Sequence, residues 1–89
     1  MVDKSLEEIK RGEQAQKILD NEVFKESFTA VKDHIIEAMQ TSPLGDETTH
    51  NRLVIALQVL GQIEKSLTNV MQTGKMAKIQ VNEPIRAVK

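Results

Sequence analysis

The chain has 89 residues, with 12 lysines and arginines against 13 acidic residues, a formal net charge of −1, no cysteine and two aromatic residues. This length allows one small domain, and the absence of cysteine excludes disulfides and thiolate metal ligands. The near-zero charge and the scarcity of aromatic rings argue against a dedicated nucleic-acid binder, which needs clustered cations and stacking surfaces.

The sequence contains no apolar run that approaches the roughly 18–20 residues needed to span a bilayer. Its N-terminal residues are acidic and lack the hydrophobic segment of a secretory signal. We therefore expect a soluble, intracellular, helix-rich protein that is not secreted and has no membrane partner.

The first predicted helix covers residues 5–19. Ser5 and Glu8 have the spacing of a capping box, in which each side chain bonds the other residue's backbone N–H. Gly12 and the polar residues that follow it interrupt the apolar stripe, so this helix is the weakest of the three. We expect it to dock on another surface.

The second predicted helix covers residues 22–41, with Asp20 or Asn21 as its N-cap. Its apolar residues have the 4, 3, 4, 3 spacing of a heptad seam: Phe24, Phe28, Val31, Ile35 and Ala38. Val23, Ile36 and Met39 widen this stripe, and a wide stripe is typical of a helix that packs against more than one neighbour.

Residues 42–46 are predicted to reverse the chain. Pro43 cannot continue the helix, Gly45 permits a sharp bend, and Asp46 caps the next helix. The third predicted helix covers residues 47–73, ends at the Thr73–Gly74 pair and carries a second seam. That seam consists of Ala56, Leu60, Ile63, Leu67 and Val70, with Leu53 and Leu57 beside it.

The short connection between two long helices predicts an all-α fold, an antiparallel, coiled-coil-like helical hairpin preceded by the shorter N-terminal helix. These helices form a three-helix segment over residues 1–74. Few apolar side chains are available to bury, so the core is marginal and we expect a homo-oligomer or assembly with a larger partner. The predicted helix–helix or assembly interface consists of Phe24, Phe28, Val31, Ile35, Leu53, Leu57, Leu60, Ile63, Leu67 and Val70.

Residues 75–89 are predicted to form an extended basic arm, because apolar and polar residues alternate and Pro84 opposes a helix. Two interpretations remain open, an arm that becomes ordered on a partner and a frayed terminus. The predicted partner-binding residues are Lys75, Lys78, Ile79, Val81, Ile85 and Arg86.

The stretch TSPLGDETTHNRL contains Ser42, Asp46 and His50, residue types that also form catalytic sites. These residues belong to one short connection with no glycine-rich cradle, so we interpret them as turn and cap residues. His34 and His50 lack the accompanying ligands of a metal site, and the sequence around Lys75 follows a helix, unlike a phosphate-binding loop. We predict no enzyme activity, no catalytic residue, no metal and no cofactor.

An ordered set of short motifs extends over residues 11–78: Arg11-Gly12, Ala15, Ile18-Leu19-Asp20, Phe28, Val31, Ile35, Ser42-Pro43, Asp46 and Thr73 to Ala77. In this set the chain resembles a family of small tailed-bacteriophage proteins encoded among virion structural genes. The resemblance implies a non-enzymatic phage protein, located in the virion or the bacterial host cytoplasm, whose partners are other phage structural proteins.

The leading hypothesis is a virion or virion-assembly protein that oligomerises or decorates a head, portal or tail component. The alternative is a DNA-associated packaging or regulatory factor of a phage. In that alternative, basic residues contact phosphate: Arg11, Lys75, Lys78, Arg86 and Lys89.

Overall fold

A computed structural model describes the backbone of residues 2–88 and the side chains of residues 4–81. These residues form three α-helices, α1 (Val2–Asp20), α2 (Glu22–Thr41) and α3 (Glu47–Val88). No strand occurs in the described backbone, and the prediction of an all-α protein is confirmed. The chain divides into two compact units. The first comprises α1 and the part of α3 from Ser66 onward, and the second comprises Asn21–Lys65.

Helix α1 begins at Val2, so Ser5 lies inside the helix and the predicted capping box is wrong. No proline or glycine in residues 2–4 opposes the additional helical residues. The helix ends at Asp20, whose carboxylate accepts hydrogen bonds from Gln16 Nε2 at 3.0 and 3.1 Å.

Asn21 interrupts the helical backbone and caps α2. Its backbone is extended (φ −69°, ψ 126°), and its Oδ1 accepts a hydrogen bond from the Phe24 N–H at 2.9 Å. The side-chain oxygen thus satisfies one of the N–H groups that lack a partner inside the helix. Of the two caps that the sequence suggests, the structure uses Asn21, and α2 has the predicted bounds.

Helix α3 is longer than predicted. The predictions of a helix end at Thr73 and of an extended arm after it are wrong, because residues 75–88 continue the helix, Pro84 included. Gly74 does not adopt the left-handed conformation of a helix stop. Gly45 is the glycine with positive φ, at 88°. Gly74 is instead buried inside α3, where its missing side chain allows another helix to approach.

The first unit is organised by a contact between the backbones of α1 and α3. A Cβ atom added to Gly12 would lie 2.8 Å from the Gly74 Cα, and one added to Gly74 would lie 2.8 Å from the Gly12 Cα. Real Cβ atoms do not approach carbon so closely, so an alanine at either position would force the two helices apart. Ala15 and Ala77, each three residues after one of these glycines, are the buried hydrophobic residues among the described side chains.

The second unit has a more open core. No residue of α2 is buried, and its aromatic pair, Phe24 and Phe28, is half-buried with the ring centroids 5.8 Å apart. On α3, Leu53, Leu57 and Leu60 are half-buried in the same way. Apolar side chains of the two helices are therefore partly covered, and none of those in α2 is removed from water.

Candidate assembly surface

The ten residues predicted as an interface are covered only in part. Eight are half-buried, and Val31 and Ile63 are each 49 % exposed. Large aliphatic side chains are normally among the most buried residues of a folded protein. These seams therefore retain apolar surface on which a further partner can pack.

The predicted partner-binding residues after Gly74 lie on a helix. Lys75, Lys78, Ile79 and Val81 are all exposed, and Ile79 is 54 % exposed. Ile85 and Arg86 lie outside the residues whose side chains are described. The expectation that this segment binds a partner remains a prediction. Because the segment is helical, the side chains that share a face are three or four residues apart, and not two apart as in an extended arm.

The connection between α2 and α3 is organised by Asp46. Its Oδ1 accepts a hydrogen bond from the Thr49 N–H at 3.1 Å, and its Oδ2 accepts one from the Thr49 hydroxyl at 2.7 Å. The Thr49 hydroxyl and N–H hold the pKa of Asp46 below its ordinary value, and the nearby His50 lowers it further. Asp46 caps α3, as the sequence predicts.

Ser42 and His50 form a link that sequence reasoning missed. The Ser42 Oγ lies 2.7 Å from the His50 Nε2 and 3.2 Å from the Met39 carbonyl oxygen. The hydroxyl has a single proton, so if it donates to Met39, the His50 Nε2 must donate to Ser42. In that arrangement the imidazole does not act as a base toward the hydroxyl, and the link ties the end of α2 to the first turn of α3.

The carboxylate nearest this link does not complete a catalytic arrangement. The Asp46 carboxylate accepts from Thr49, and the described hydrogen bonds include none from the His50 imidazole to it; the bond between these two residues runs from the His50 backbone N–H to the Asp46 carbonyl oxygen at 3.1 Å. A Ser–His–Asp constellation requires the acid to orient the imidazole. Ser42 ends α2, and His50 lies in the first turn of α3. A serine and a histidine at these two facing helix ends are the sequence signal that could have predicted this hydrogen bond.

Within the described part of the chain, no three His, Cys, Asp or Glu residues are grouped so that they could hold a metal ion. Over the residues that the structure describes, none of the helices combines the length and hydrophobicity that crossing a bilayer requires. No family model, curated protein or solved structure matches the chain.

Proposed function

We propose that this protein is a small non-enzymatic bacteriophage virion or virion-assembly protein, which oligomerises or decorates a head, portal or tail component. The observation that carries the proposal is the apolar surface left exposed on α2 and α3, where Val31, Ile55 and Val59 are each about half exposed. Large exposed apolar surfaces are typical of protein–protein interaction sites. The phage context comes from the motif resemblance between Arg11 and Lys78.

In the second unit, the proposal includes an antiparallel, coiled-coil-like hairpin of α2 and α3. The Ser42–His50 contact at 2.7 Å supports it, because it holds the end of one helix against the start of the next. The half-buried Phe24 and Phe28 on α2 and Leu53 and Leu57 on α3 are the side chains that such a pair would share.

Mass spectrometry of purified phage particles and of isolated assembly intermediates tests the proposal. We expect the protein in at least one of these fractions, at a copy number that matches the symmetry of the component it joins. Tail-less heads and headless tails from assembly-blocked infections would identify that component. Absence from mature particles and from every intermediate would overturn the proposal.

Exposed Lys75 and Lys78, which are three residues apart on α3, favour the DNA-associated factor as the second candidate. Each contact that a lysine makes with phosphate releases a counterion, so the affinity for duplex DNA should fall steeply with salt. Replacing both lysines with glutamine should reduce that salt dependence. Unchanged or absent DNA binding at low salt would exclude this candidate.

A further inference from the structure

One segment of α3 has no charged residue on any side. Residues 53–63 form eleven consecutive helical positions, LVIALQVLGQI, without a lysine, arginine, aspartate or glutamate. A helix that lacks a charged face is normally surrounded by other protein. In the structure only one side of it, with Leu53, Leu57 and Leu60, is half-buried.

The uncovered side carries three large aliphatic residues in a row. Ile55 is 58 % exposed, Val59 54 % and Ile63 49 %. They are four residues apart, so they form one continuous ridge along the helix surface, of the kind that packs into the groove of another helix. We name these three residues the Val59 ridge.

The Val59 ridge is symmetric about its central residue. An isologous two-fold contact places the same patch of two subunits face to face. If two copies of α3 pair antiparallel about Val59, Ile55 of each copy meets Ile63 of the other, and the valines meet at the axis. In this arrangement every residue of the ridge meets an apolar residue of the same ridge on the second copy.

Charge favours the same arrangement. Arg52 lies seven residues before Val59 and on the same side of α3. A parallel pair would bring the two Arg52 side chains together, and the apposition of like charges is unfavourable. The antiparallel pair separates them by fourteen helical positions, about 21 Å along the axis.

We propose that the Val59 ridge is the self-association surface of this protein, and that its occupant is the same ridge of a second copy packed antiparallel. The proposal rests on the oligomerisation included in the proposed function and is independent of location in a virion. The ridge would form the centre of a larger contact.

Single-cysteine variants test the pairing directly, because the chain has no cysteine of its own. With a short bismaleimide, Val59→Cys should cross-link to itself. A mixture of Ile55→Cys and isotopically labelled Ile63→Cys should cross-link mainly as the mixed pair. In the antiparallel arrangement two copies of Ile55→Cys place their thiols eight residues apart, about 12 Å along the axis. Self-pairs of Ile55→Cys that form as efficiently as mixed pairs would overturn the antiparallel geometry.

Sedimentation of the full-length chain measures the association. Ile55→Glu should weaken self-association by roughly a hundredfold, because the two-fold axis removes the contact twice and each loss is worth about a factor of ten. The matched control is Met76→Glu, a change to the same charged residue on the same helix at an apolar side chain that is 57 % exposed, which should leave the association unchanged.

Two results would overturn the proposal. A wild-type chain that remains monomeric at millimolar concentration would assign the ridge to a different protein. Equal weakening by Ile55→Glu and Met76→Glu would place the contact elsewhere. Neither result bears on whether the protein is present in phage particles, so the two proposals fail separately.

Discussion

The glycine contact between α1 and α3 allows the sharpest test of the fold. Gly12→Ala would place a Cβ atom 2.8 Å from the Gly74 Cα, 3.2 Å from the Val70 carbonyl oxygen and 3.3 Å from the Gly74 nitrogen. All three atoms belong to the backbone of one helix, so no side chain can rotate away to make room. The two helices would have to separate.

The size of the effect follows from these distances. Non-bonded carbon atoms prefer about 3.5–4.0 Å, so the helices must separate by about 1 Å at the contact. Overpacking of this kind costs about 1–3 kcal/mol, whereas replacing glycine with alanine inside a helix gains about 1 kcal/mol of propensity. We expect Gly12→Ala to lower the free energy of unfolding by up to about 2 kcal/mol.

Gly61→Ala is the matched control. Gly61 is also inside a helix, but nothing lies within 4 Å of a Cβ atom added there. It should gain the same propensity without the clash and raise the free energy of unfolding by about 1 kcal/mol. Urea denaturation followed by circular dichroism, at one protein concentration, gives both values. A Gly12→Ala variant as stable as Gly61→Ala would refute the close contact.

Four further predictions concern the turn, the α2 cap and the assembly. The pKa of Asp46 is lowered in the folded state. The ionised Asp46 carboxylate therefore stabilises the fold fully above the ordinary aspartate pKa of about 3.9, and this stabilisation is lost as the pH falls through the folded-state pKa. Asp46→Asn retains a capping oxygen but does not ionise, so the melting temperature of this variant should depend less on pH at acidic pH than that of the wild-type chain. Ser42→Ala should lower the free energy of unfolding by about 1 kcal/mol, whereas Thr41→Val, which loses only an exposed bond to the Glu37 carbonyl, should change it little. Asn21→Ala should cost about 1 kcal/mol through loss of the α2 cap, and Asn21→Asp should restore most of it. The melting temperature of the wild-type chain should rise with protein concentration, and a concentration-independent value would contradict assembly.

The bounds of α2 could be predicted because both ends have strong local signals. Asn21 supplies a capping oxygen, and Pro43 excludes continuation of the helix a few residues past its end. Neither signal depends on tertiary contacts. The 3.6-residue period identified the apolar side chains of α2 and α3 for the same reason, since it follows from helix geometry alone.

The end of α3 could not be predicted from local signals, because a glycine can serve two opposite purposes. Gly74 after a helical pattern resembles a stop, but it is a contact point for a second backbone. Only the presence of Gly12 on α1, packed against Gly74, distinguishes a contact between two helix backbones from a helix stop. The matching Gly12–Ala15 and Gly74–Ala77 spacings were the available signal, since small residues at equal spacing let two helices approach closely. The Ser42–His50 bond likewise depends on how the chain reverses at Gly45.

The two units reach stability by different means. In the first, small residues bring two backbones together, so little apolar area is available and Ala15 and Ala77 are the buried hydrophobic residues. In the second, large residues are plentiful but remain half-covered. Burying a whole isoleucine or valine contributes about 1.5–3 kcal/mol, so covering the exposed half of each Val59 ridge residue on both copies adds several kcal/mol. That gain is comparable to the whole stability of a small domain. If the Val59 ridge pairs as proposed, association and folding of this chain are one coupled equilibrium.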